Sequence, residues 1–114
     1  MRHLEDIQLT PDQNQALQEL RVRITAQFKV ESMVLYGSTA RGEADAESDI
    51  DLLVLTSEPL KRSERHLITN IAFETNLKYG TNFSTLVIDQ NTWDNGIVSV
   101  LPIHTEILNE GVTI

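Results

Sequence analysis

The chain has 114 residues and a formal net charge of −8, with no Cys. A chain of that length is expected to form one domain, residues 1–114, with enough buried surface to hold together without disulfides or metal staples. Lack of Cys excludes thiolate metal sites and fits a reducing, cytoplasmic setting, while the negative surface argues against direct binding to nucleic-acid polymers. The opening MRHLEDIQLTPDQ carries charges and no apolar core, unlike a secretory signal, and no apolar run reaches membrane-spanning length, so no membrane association is expected.

In chain order, Thr10-Pro11-Asp12-Gln13 has the features of a helix start: an N-cap hydroxyl, a proline in the first turn and a Gln that completes a capping box. Leu17, Leu20, Ile24 and Phe28 follow at helical spacing, which predicts a helix over 11–28. A β-rich run over 30–36 ends at Gly37, and Ser38 to Gly42 is small and polar, a tight turn or one turn of helix. Ile50 to Thr56 is apolar without alternation, the pattern of a strand covered on both faces. Pro59 is read as opening a second long helix that runs to Tyr79, with Leu60, Leu67, Ile68, Ile71 and Leu77 turned inward and Gly80 as its stop. Phe83 to Ile88 reads as a third strand, Asp89 and Asn91 as caps of a short turn holding Trp93, and Pro102 to Glu110 as a short helix closed by Gly111. This order predicts an α/β (α+β) fold with a small mixed sheet of three to four strands packed by helices.

The chemistry concentrates in residues 37–51, GSTARGEADAESDID. Side chains at i and i+2 of a strand share a face, so Asp49 and Asp51 would point the same way, about 6–7 Å apart at Cα. Leu53 and Leu55 would continue that face beneath cover. Two carboxylates beside a core must be desolvated and repel each other, and a divalent cation answers both problems. Hard oxygen ligands select Mg²⁺ or Mn²⁺, which complete their shells with water and substrate phosphates. Gly37-Ser38, just after the preceding strand, has the chemistry of a phosphate-binding turn, and Arg41 lies one turn on, placed to neutralise a phosphate oxygen. Arg41 could also pair with Glu43, Asp45 or Glu47, which otherwise form a solvated acidic rim.

Other motifs fail in detail. A Walker A loop needs Lys after its second Gly, and Glu43 follows Gly42. An EF-hand from Asp45 would need Gly and Glu where Ile50 and Thr56 stand. A dinucleotide fingerprint needs three glycines, and only Gly37 and Gly42 are present. His3, His66 and His104 show no metal-ligand spacing, and Trp93 reads as packing.

The runs Val34-Leu35-Tyr36-Gly37-Ser38, Arg41-Gly42-Glu43-Ala44 and Ser48-Asp49-Ile50-Asp51-Leu52 together resemble the minimal nucleotidyltransferases of the DNA polymerase beta superfamily. The likeness in element order extends over roughly residues 10 to 114, with the ending echoed by Ile107 to Ile114. The resemblance implies transfer of a nucleoside monophosphate, AMP from ATP foremost, to a hydroxyl on a protein or small molecule. It implies divalent metal held by Asp49 and Asp51 and triphosphate held at Gly37, Ser38 and Arg41. It also implies a protein partner, since many such proteins act as antitoxins paired with a HEPN-domain protein. Active members carry a third carboxylate on the next strand, where this chain has Ser84 or Thr85, with Asp89 at the far end. That departure leaves open an alternative: a catalytically weak or inactive nucleotide-binding antitoxin that acts by docking.

Overall fold

The structure, a computed structural model, describes residues 2–3, 7–43 and 48–114. Its elements are β1 (Arg2–His3), α1 (Pro11–Gln27), β2 (Val30–Tyr36), α2 (Ser38–Arg41), β3 (Ile50–Thr56), α3 (Arg62–Tyr79), β4 (Phe83–Asp89), α4 (Gln90–Asn95), a 3₁₀ turn (Ile97–Val100), α5 (Pro102–Glu110) and β5 (Val112–Thr113). The sheet order is β1-β5-β2-β3-β4. The β2–β3 and β2–β5 pairs are antiparallel, whereas β3–β4 and β1–β5 are parallel. Four of the strands, β2 to β5, form the mixed sheet expected from the sequence. Arg2–His3 adds a fifth, of only two residues, too short to leave a periodic signature.

Helix α1 starts as its sequence dictates. The Gln13 amide donates to Thr10 Oγ1 at 3.1 Å, and Gln13 Oε1 accepts from the Thr10 amide at 2.9 Å. Ala16, Leu17, Leu20 and Ile24 are buried against the sheet. Helix α3 departs from expectation at its start. Pro59, Leu60 and Lys61 precede the helix, which begins at Arg62. Glu64 fixes that boundary by accepting from the Lys61 amide at 2.9 Å. Two expected core residues also lie outside: Leu67 is 48% exposed and Leu77 70%. The inward stripe is Ile68, Ile71, Ala72 and Thr75. Nine residues at about 100° each carry Leu77 halfway round the helix from Ile68.

The sheet divides the core in two. On one face, Leu52 and Val54 of β3 pack with Leu17, Leu20 and Ile24 of α1 and Ile68 and Ile71 of α3. The two helices are tied outside that core by Arg23–Glu74 at 3.1 Å and Lys78–Glu19 at 2.7 Å. On the other face, Leu53 and Leu55 pack with Val34, Ile88, Trp93 and Ile107, covered by α4 and α5. Strand β3 is thus buried on both faces, as its unbroken apolar run requires. Trp93 is core and stacks on His104 with ring centroids 4.3 Å apart. Among the described residues, no helix is long and apolar enough to cross a membrane.

Asp89 ends β4 as the N-cap of α4. It accepts from the Thr92 amide at 3.0 Å and from Thr92 Oγ1 at 2.6 Å. The Thr92 hydroxyl and then its amide hold the Asp89 carboxyl below the usual carboxylate range. A carboxylate depressed in the folded state stabilises the fold above its unfolded pKa of about 3.9, and that contribution is lost as pH falls through the lowered native value. Urea denaturation should therefore find Asp89→Asn less stable than the wild type at pH 7, with the gap closing as pH drops below about 4.

Candidate functional site

The antiparallel register sets Tyr36, the last residue of β2, opposite Asp51, the second of β3. The chain leaves β2 through Gly37, whose φ of +79° suits glycine. A Cβ at Gly37 would collide with Asp51 Oδ2, so the turn lies directly on the carboxylate. Helix α2 then makes one turn, with the Arg41 amide donating to Gly37 O at 3.1 Å. Gly42, at φ +75°, closes it with open space where a Cβ would be. Ser38 is partly buried at the start of this turn. Thr39 is buried, and its Oγ1 has no hydrogen-bond partner among the described residues.

Asp49 lies one residue before β3 and is exposed, whereas Asp51 is partly buried at the strand's start. Burial pushes the Asp51 carboxyl up, with Asp49 and then Glu106 adding repulsion and Arg41 opposing. Tyr36 is raised for the same reasons: burial first, then the charges of Asp51 and Glu106. The site is therefore short of positive charge. Arg41, its nearby cation, is shared among Glu43 at 3.1 Å, Glu106 at 2.9 Å and Glu110 at 3.4 Å. Glu43 was one of the acids expected to hold it. Asp45 and Glu47, the others, lie outside the described residues.

The parallel β3–β4 register decides what stands on the next strand. Asp51 pairs with Ser84, and Thr85 pairs with Leu52 on the opposite face. Ser84 is exposed beside Asp51, while Asp89 is spent as a helix cap five residues on. Asn76 secures this register: its Nδ2 donates to Phe83 O at 2.9 Å, and its Oδ1 accepts from the Phe83 amide at 2.8 Å. Among the described residues, no group of three or more His, Cys, Asp or Glu side chains converges on a metal position. The donor set still fits a hard divalent cation, because Mg²⁺ is commonly held by one or two carboxylates with phosphate and water completing the octahedron. The absence of a Cβ at Gly37 lets the Asp51 carboxylate lie against the turn.

Gly37, Ser38, Arg41, Asp49 and Asp51 are thus gathered at one end of the β2–β3 pair. Tyr36, Glu106 and Glu110 were missed as their neighbours. The two glutamates, spaced i, i+4 near the end of α5, fit a shared helix face, but nothing local joins that face to a residue some 65 positions earlier.

A family model described as a nucleotidyltransferase domain matches residues 17–100. Two Methanocaldococcus jannaschii proteins, each provisionally named a protein adenylyltransferase, are similar to the chain. One is 39% identical over 59 residues, covering 52% of this chain and 60% of that protein. The other is 37% identical over 79 residues, covering 68% of this chain and 52% of that protein. The chain thus spans between half and two-thirds of the length of these relatives. A crystal structure of a toxin–antitoxin with AMP-PNP shares the fold, with a TM-score of 0.56 and 17% identity over 82% of this chain and 68% of that one.

Alanine at Gly37 and at Gly42 should separate backbone strain from crowding of the carboxylate. Gly42→Ala forces a left-handed residue, costing about 1–2 kcal/mol, whereas Gly37→Ala enters a region that is essentially confined to glycine and also meets Asp51. Thermal melts should show the larger loss for Gly37→Ala, and titration with Mn²⁺ and ATP should show at least about tenfold weaker binding for Gly37→Ala and little change for Gly42→Ala, a difference of about 1.4 kcal/mol.

Proposed function

The chain belongs to the nucleotidyltransferase domain family, and on that footing we propose that it transfers AMP from metal-bound ATP to a hydroxyl group of a protein. The observation that carries this reading is the contact of the Gly37 turn with the Asp51 carboxylate, since it joins a phosphate-binding turn to a metal-binding pair. The provisional naming of both M. jannaschii relatives as protein adenylyltransferases supports AMP as the group and protein as the acceptor. The AMP-PNP in the toxin–antitoxin neighbour supports ATP as the donor.

In this reading Asp49 and Asp51 hold Mg²⁺ or Mn²⁺, Gly37 and Ser38 receive the phosphates, and Arg41 turns from its glutamates to a phosphate oxygen. Bound metal would supply Lewis-acid polarisation of the phosphate. The acceptor oxygen bonds to the α-phosphorus as the bond to the β-phosphate oxygen breaks, and pyrophosphate leaves. The hydroxyl proton passes to water, because Ser84 stands where a carboxylate would take it. The toxin–antitoxin neighbour supports a protein partner, and in this reading that partner is a HEPN-domain protein, as the motif resemblance implies.

A second reading, an antitoxin that binds nucleotide but inhibits by docking, is favoured by Ser84 alone in register with Asp51. Labelled AMP transfer from α-labelled ATP to the partner protein separates the two. Asp49→Asn or Asp51→Asn should lower transfer by roughly 100-fold or more, the loss of several kcal/mol of charge stabilisation. Transfer that persists in both variants overturns the first reading. Inhibition of the partner that persists without transfer establishes the second. Ser84→Asp should raise Mn²⁺ affinity by about tenfold, since ligand charge count sets affinity at such sites, and should raise the transfer rate with it.

A further inference from the structure

The order of the strands gives the acidic pair two sides. Strand β3 lies between β2 and β4. On the β2 side, Gly37 stands against Asp51 Oδ2, and the turn it begins carries Ser38. On the β4 side, Ser84 is in register with Asp51. Residues paired across a sheet point to one face, so the Ser84 side chain stands on the face that carries Asp51. Neighbouring strands lie about 4.7–4.9 Å apart, which sets Ser84 one strand spacing from Asp51, on the side away from the turn.

Displacement at phosphorus has a direction. The attacking and leaving oxygens lie roughly in line, on opposite sides of the phosphorus. With the β- and γ-phosphates on the Gly37-Ser38 turn and the α-phosphate over Asp51, pyrophosphate leaves toward β2. The attacking oxygen then comes from the β4 side, where Ser84 offers a hydroxyl. The other hydroxyls of the paired strands and the turn beside Asp51 are placed differently. Ser38 belongs to the turn that takes the leaving group. Thr39 is buried. Tyr36 stands on the β2 side, half-buried. Thr85 pairs with Leu52 and shares its face, which packs against α1 and α3. Ser84 is both exposed and across Asp51 from the turn.

We propose that Ser84 is itself an acceptor, so that the chain adenylylates its own Ser84 hydroxyl. This rests on the reading of the chain as a transferase of AMP. Ser84 Oγ bonds to the α-phosphorus as the bond from that phosphorus to the oxygen bridging to the β-phosphate breaks. Pyrophosphate leaves, the hydroxyl proton passes to water, and a phosphodiester joins Ser84 to AMP. The attached AMP fills the acceptor side of the site, so each chain reacts once.

The test uses the full chain, purified alone, with Mn²⁺ and ATP labelled at the α-phosphate or, separately, at the γ-phosphate. The α-label should enter the chain at a rate per chain that does not change with chain concentration, and peptide mass spectrometry should place the AMP on Ser84. The γ-label should not enter. Ser84→Ala should remove the label without changing the melting temperature, and Thr85→Ala should keep it. A second readout needs no turnover. With Mn²⁺ and the unreactive α,β-methylene-ATP, paramagnetic broadening of amide NMR signals should be strong at Gly37, Asp51 and Ser84 and weak at Asp89, the far end of β4. AMP mapped to another residue, a rate that rises with chain concentration, or broadening that spares Ser84 would overturn the proposal. A synthetic peptide carrying Ser, Thr and Tyr, added to the same mixture, keeps the two readings apart. AMP on the peptide and none on Ser84 overturns self-modification and sustains the transferase reading. AMP on neither, with the analogue still bound, overturns self-modification and counts against the transferase reading as well.

Discussion

The structure turns on the closeness of the Asp51 carboxylate to the backbone of Gly37. A half-buried carboxylate is costly, and this one is worsened by Asp49 and Glu106. What makes its position possible is a neighbour without a Cβ, in a conformation that L side chains rarely adopt. The antiparallel register of β2 and β3 decides which residue that neighbour is, because Tyr36 opposite Asp51 delivers Gly37 onto its carboxylate. A slip of one residue would turn Asp51 toward the face packed by α1 and α3, which opposes it.

The electrostatics around that contact are unbalanced in a way that suits a ligand. Arg41 offsets part of the repulsion at Asp51 but is itself divided among three carboxylates. These ion pairs are partly exposed, and such pairs contribute little to stability, so a phosphate could displace them at small cost. The two sides of the sheet also differ in what they do. Helices α1 and α3 build one core with residues far from the acidic pair. The α4–α5 layer seals the Asp51 face and reaches Arg41 through Glu106 and Glu110.

Errors in the sequence reading of α3 have a common physical origin. Leu67 and Leu77 are apolar, and Leu60, Ile68 and Ile71 form an inward set, so the five suggest one stripe. Helical spacing already sets Leu77 opposite Ile68, Leu60 precedes the helix, and packing leaves Leu67 at the edge of the stripe. Thr75, polar by type, takes a core position by donating to Ile71 O at 2.7 Å, which satisfies its hydroxyl within the helix. Pro59 fits a first turn as well as Pro11 does, yet the start of α3 is set by Glu64 reaching back to Lys61. Ser84 and Thr85 were equal candidates along the strand, and only the pairing with β3 chose Ser84.

By itself the sequence determined the local and the chemical. The capping box of α1, the doubly buried β3 and the cap at Asp89 follow from residue type and short spacing, and the 37–51 run marks Gly37, Ser38, Arg41, Asp49 and Asp51 as one set, which the β2–β3 register brings together. Tertiary structure alone decided the long-range neighbours: Ser84 rather than Thr85 beside Asp51, Tyr36 and Glu106 within its field, and Glu106 and Glu110 on Arg41. The reason is that spacing fixes which side chains share a face of one element. Which faces meet is fixed by sheet register and by how helices cover the core, and no short stretch of the chain encodes that.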